Sequence, residues 1–111
     1  MLDHAREAVD MAQGRKRADL DRDRQLNLAL VRLLEIVGEA ANRVPEEVRT
    51  RISDIPWSHI VGLRNRLIHG YDAVDFEILW RTVTDDLPRL IEALRRAGIE
   101  SRGANDSIGQ S

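Results

Sequence analysis

The chain has 111 residues, 42% of them hydrophobic and 32% charged, with a formal net charge of −2. That length suits one domain with one core, and the balance excludes a disordered chain and a strongly basic nucleic-acid coat. Cysteine is absent, which excludes disulfides and thiolate metal sites and fits a reducing cytoplasm.

The aromatic residues are few (Trp57, Phe76, Trp80 and Tyr71), so the core must be aliphatic. No run approaches the ~18 apolar residues that a membrane helix needs. Asp3 and Glu7 interrupt the first residues, so no signal peptide is expected. Strand alternation and hairpin dipeptides are missing, and the chain reads as helix throughout.

The first helix is expected over about Leu2 to Gln13, through Leu2, Ala5, Val9 and Ala12, with His4 on the surface of a fraying end. Gly14 begins a turn. The basic triplet Arg15-Lys16-Arg17 after it suits a solvated loop, with an RNA-contacting patch as the sharper reading. A long helix is expected over about Asp19 to Arg43. Acids at Asp19, Asp21 and Asp23 suit its N-terminus, where the macrodipole favours negative charge. Leu26, Leu30, Leu33, Val37 and Ala41 form one stripe, widened by Leu34, Ile36 and Ala40. A stripe that wide implies burial on more than one side, and Gly38 with Ala40-Ala41 would let a neighbouring helix come close.

Pro45-Glu46-Glu47 opens a short helix, and Asp54-Ile55-Pro56 opens another expected to run to His69 with Ile60, Leu63 and Leu67 inward. Gly70 stands where a left-handed cap is wanted. Asp72 and Asp75 are placed to cap the last helix, whose apolar period runs from Phe76 to Leu94. Pro88 interrupts that period and should kink or split the helix near Asp85, because an interior proline costs ~3 kcal/mol. Residues 98–111 read as a mobile tail after a single helical domain over 1–97. The expected architecture is all-α: a small bundle of four long helices and a short one.

The chemistry concentrates in Arg64-Asn65-Arg66-Leu67-Ile68-His69-Gly70-Tyr71. A guanidinium can hold a phosphate and an imidazole can move a proton, which suits a phosphodiester. Asn65 and His69 are four apart and share a helix face. Arg64 and His69 are five apart, about 140° around an ideal helix, so meeting on one ligand needs the reach of arginine or a cleft shared by two subunits. A helix C-terminus at His69 favours the imidazolium, a proton donor for a leaving 5′-oxygen. RNA brings its own 2′-hydroxyl nucleophile, and no cluster with metal-ligand spacing stands out, so no metal and no cofactor is expected. From Arg49 to His69 four arginines face the single acid Asp54, so the segment is locally cationic despite the net charge. With arginine at 16 positions, an Arg-x4-His pair alone is a weak signal. Tyr71 and His59 are each read first as structural residues, His4 as a surface residue, and Glu39 as a rim or salt-bridge residue that could also stand behind the site.

The wider pattern is more specific. The run Ile55-Pro56-Trp57 through Ile60-Val61-Gly62-Leu63 to Tyr71, the upstream run Val31 to Ala41 containing Ile36-Val37-Gly38-Glu39-Ala40, and Trp80 with Asp86-Leu87-Pro88 and Leu90 resemble, in order, the HepT-like ribonuclease toxins of the HEPN superfamily. The resemblance spans about residues 20–95. It implies an all-α HEPN fold, a homodimer and metal-independent endoribonuclease activity in the cytoplasm. It implies Arg64 and His69 as the catalytic pair and Asn65 as a supporting polar residue; Glu39 and Arg66 are the candidates to stand behind them. It also implies an MntA-like nucleotidyltransferase antitoxin that transfers AMP to Tyr71, adding bulk and negative charge where an RNA phosphate must sit. The N-terminal helix is short for the family. The competing readings are a non-catalytic helical module that binds and regulates a nucleotidyltransferase, and a nucleotide-binding helical domain.

Overall fold

A computed structural model of the protein describes residues 1–67 and 74–98, and the regular elements among them are all helical. In chain order they are α1 (Leu2–Ala12), α2 (Asp19–Arg22), α3 (Arg24–Asn42), α4 (Glu46–Arg51), α5 (Trp57–Val61), α6 (Leu63–Leu67), α7 (Phe76–Arg81), a π-helical turn (Thr82–Asp86) and α8 (Leu87–Arg96). The long helix α3 is the spine of this small bundle and touches α1, α2, α5 and α6. Leu30, Leu34 and Val37 of α3, Leu63 and Leu67 of α6, Leu79 of α7 and Leu94 of α8 are fully buried, so the core is aliphatic.

The first helix is better anchored than its sequence promises. Leu2, Ala5 and Ala8 are buried against α3 and α8, while Val9 and Ala12 are only half-buried. Small residues at Ala5 and Ala8 let α1 lie close, so its end does not fray. His4 is half-buried and its Nδ1 is enclosed with no hydrogen-bond partner, which corrects its reading as a surface residue.

The helix expected from Asp19 breaks at Asp23, whose backbone is extended (φ −110°, ψ 96°). Its carboxylate instead accepts the Leu26 N–H at 3.0 Å and caps α3. That bond, with help from Arg15 at 2.8 Å, holds the Asp23 carboxyl below its ordinary range. The basic triplet is mostly paired within the chain. Arg15 meets Asp23, and Arg17 meets Glu77 at 2.8 Å and Asp21 at 3.0 Å, which raises the Arg17 pKa. Arg17 also lies over the Phe76 ring, tying the turn to α7.

The last helix splits where Pro88 requires it. Thr82–Asp86 form a π turn in which the Leu87 N–H reaches the Thr82 carbonyl, five residues back. The wider turn makes room for a ring that has no N–H to donate. Thr82 and Thr84 return hydroxyl bonds to the Ile78 and Trp80 carbonyls, at 2.7 and 2.9 Å. Asp75 caps α7 through the Glu77 and Ile78 N–H groups, as its position predicts. Gly70, Asp72 and the tail beyond Gly98 lie outside the described residues.

Candidate active site

The helix expected from Pro56 to His69 is two short helices jointed at Gly62 (φ −83°, ψ 4°), and its course beyond Leu67 lies outside the described residues. Three contacts position the pair. Trp57 is buried and its Nε1 donates to the Arg49 and Ile52 carbonyls at 3.2 and 3.0 Å, pinning α5 to the end of α4. Ile60, Leu63 and Leu67 point into the core. Gly38 of α3 lies so close to α5 that a Cβ there would stand 3.2 Å from the Ile60 carbonyl oxygen.

With that inner face fixed, Arg64, Asn65 and Arg66 project outward at about 100° steps and meet three different surroundings. The Arg64 side chain is 69% exposed, and its Nε stands 3.5 Å from Oε2 of Glu35 on α3, itself 21% exposed. That is an ion pair too long for a strong hydrogen bond, and pairs this exposed contribute ~0–1 kcal/mol. The guanidinium is therefore oriented but available to a phosphate. Asn65 is exposed beside a shallow hollow of about 580 Å³ that includes Arg49, Trp57 and Gly62. Arg66 is half-buried, with Nη1 2.6 Å from Nε2 of His59, whose Nε2 is also 3.5 Å from Oδ2 of Asp86. Arginine only donates, so in this contact Nε2 is the acceptor.

His69 and Tyr71 lie outside the described residues. The described residues on either side of them meet, the Asp75 N–H donating to the Leu67 carbonyl at 2.8 Å. Glu39 is exposed and, among the described residues, has no ion-pair partner; Glu35, one turn earlier, is the acid that reaches Arg64. Both carboxylates suit that face by spacing, and only the crossing of α3 and α6 decides between them. Arg49 leaves the cationic count, because its guanidinium donates to the Val44, Ala41 and Asn42 carbonyls, each at 3.0 Å, at the end of α3. The His59–Asp86 approach was not legible, since 27 positions separate the two and the π turn sets the aim of Asp86. No group of three or more His, Cys, Asp or Glu among the described residues could hold a metal ion. No described helix is long and apolar enough to cross a membrane.

An all-α bundle that displays an Arg-Asn-Arg run on a jointed helix against its longest helix is the class of protein these features define. The Ribonuclease HepT-like family matches residues 1–97, and the chain belongs to it. Similar proteins carry ribonuclease names. One from Caldanaerobacter subterraneus subsp. tengcongensis, provisionally named an RNase, is 39% identical over 74% of this chain and 73% of its own. One from Methanocaldococcus jannaschii, also provisionally named an RNase, is 31% identical over 81% and 83%. A third, from Thermococcus cleftensis, is named a probable ribonuclease HepT and is 39% identical over 67% and 70%. No solved structure matches.

Proposed function

We propose that this protein is a metal-independent endoribonuclease toxin of a toxin–antitoxin pair that acts as a cytoplasmic homodimer. The observation that carries the reading is Arg64: within a ribonuclease family, its guanidinium stands 69% exposed and steered by Glu35, five positions before His69. In this scheme the RNA 2′-hydroxyl gives up its proton to water and its oxygen attacks phosphorus while the bond to the 5′-oxygen breaks. Arg64 stabilises the charge on the phosphoryl oxygens, His69 gives its proton to the departing 5′-oxygen, and Asn65 supports the phosphate. The products are a 2′,3′-cyclic phosphate and a 5′-hydroxyl. Leu28, 53% exposed on α3, shares a face with Glu35 seven residues on. An exposed apolar side chain two turns along the helix from Glu35 suits a second subunit packing on this face. Neutralisation is assigned to an MntA-like nucleotidyltransferase that adds AMP to Tyr71.

The test is expression of wild type and His69→Ala without a partner, followed by gels of cellular RNA. Wild type should arrest growth and fragment RNA while the variant, folded and dimeric, does neither. A variant as toxic as wild type would end the reading.

A further inference from the structure

A second cluster lies on the other side of α6 from the Glu35 contact. Between α5 and α8 a cleft of about 430 Å³ opens, with His59 and Asp86 in its wall. Its floor is apolar: Ile55, Ile60, Leu90 and Ala93 are buried there, and the exposed ring of Pro56 stands at its edge. The rim carries two carboxylates, Asp54 and Asp86, and the exposed Arg89. Arg96 reaches Asp54 at 3.4 Å, and Arg66 reaches His59 at 2.6 Å. Arg89 in the lining, with Arg66 and Arg96 just outside it, sets three guanidinia against the two lining carboxylates, so the rim is near charge balance and offers acceptors at fixed points. The π turn is what brings Asp86 to this wall, and π turns recur at functional sites.

We propose that this cleft is a nucleoside subsite of the ribonuclease, holding one base of the RNA strand next to the phosphate being cut. This deepens the ribonuclease reading and rests on it for the ligand being RNA. The volume is in the range of small-ligand pockets, and a flat base face fits the aliphatic floor and the Pro56 ring. Asp86 accepts a hydrogen bond from an exocyclic amino group, as carboxylates do from N4 of cytosine. Uracil presents O4 there, an acceptor facing an acceptor, and is rejected. Arg66 holds the adjoining phosphate. His59 is a positioning residue: by accepting from Nη1 it fixes the guanidinium fork, leaving Nη2 and Nε toward the strand. One side of α6 then serves the reaction through Arg64, and the other reads the neighbouring nucleotide through Arg66.

Fluorescence anisotropy tests this with the full chain and two 2′-O-methyl oligonucleotides, one all cytidine and one all uridine. Both lack the free 2′-hydroxyl and cannot be cut. Wild type should bind the cytidine strand about tenfold more tightly, the discrimination expected of one good base contact. Asp86→Asn, whose amide can donate to O4, should bring the two affinities within about twofold without weakening uridine binding. Asp54→Asn, whose carboxylate meets Arg96 rather than the base, should leave the ratio as in wild type. Equal affinities in wild type, or an unchanged ratio in Asp86→Asn, overturns the proposal. So does a loss of affinity for a protein partner in Asp86→Asn with a ratio of one throughout, since the cleft is then a protein-docking groove. Because neither strand can be cleaved, a chain that never cuts RNA sinks the ribonuclease reading without changing this ratio. Active cleavage with no ratio sinks only the subsite.

Discussion

Arg49 separates two accounts of the same charge. By sequence it belongs to a cationic stretch before His69 and would count as an RNA contact. In the fold its guanidinium closes the C-terminus of α3, with three donors on the Val44, Ala41 and Asn42 carbonyls at 3.0 Å each. Two of those bonds are partly buried and one is exposed. The two shielded bonds contribute about 1 kcal/mol each and the exposed one little. A cation at the negative end of a long helix adds about 0.5 kcal/mol. Arg49→Met keeps the aliphatic stem and removes all three donors, so it should cost about 2–3 kcal/mol. For a domain this size that lowers Tm by roughly 10 °C. Arg49→Lys keeps the charge but not the fork and should fall between the two. Circular dichroism melts and urea midpoints at constant m-value measure both, and anisotropy on an uncleavable RNA measures binding by the folded fraction. The reasoning is refuted if Arg49→Met melts within about 2 °C of wild type, or if it is stable and fails to bind RNA.

Other expectations follow from single contacts. Gly38→Ala should be near neutral, because the ~1 kcal/mol gained in helix propensity offsets a Cβ 3.2 Å from the Ile60 carbonyl. Gly38→Val, with two more methyls toward α5, should lose about 2 kcal/mol in urea titration; a Val variant as stable as wild type would show that α3 and α5 are not tightly apposed. The Asp23 carboxyl is held low in the fold by the Leu26 N–H first and Arg15 after it. Its contribution is therefore complete above its ordinary pKa of 3.8 and is lost as pH falls through the lower folded value. NMR titration should place its midpoint below that of an unfolded peptide, and Asp23→Ala should melt lower than Asp23→Asn, which still caps. For Tyr71, incubation with the nucleotidyltransferase and ATP should add whole AMP masses to wild type and none to Tyr71→Phe. A Phe variant modified and neutralised as well as wild type removes that assignment.

The helical class, the aliphatic core and most of the helix content are legible in the chain because they rest on local period. The stripe of Leu26, Leu30, Leu33 and Val37 is buried as spaced, Asp75 caps α7, and Pro88 forces a break in the last helix. The misreadings share one cause. A carboxylate or guanidinium near a helix end has several partners within reach, and period does not choose among them. Asp23 is one of three acids suited to a helix start, yet it breaks the helix that the pattern would carry through it. Arg15 and Arg17 look like a free basic patch until the fold brings Asp23 and Glu77 to them.

The sequence by itself determined the residue types at the site, the family, and which faces turn inward, because side-chain chemistry and 3.6-residue spacing are properties of the chain alone. The tertiary structure decided that Glu35 rather than Glu39 meets Arg64, that Arg49 caps a helix, and that Arg66 joins His59 and Asp86 around a cleft. Each of those depends on how close two helices cross and at what rotation. That is set by the packing of buried side chains across the bundle, with Gly38 lying close under the Ile60 carbonyl, and no local pattern encodes it.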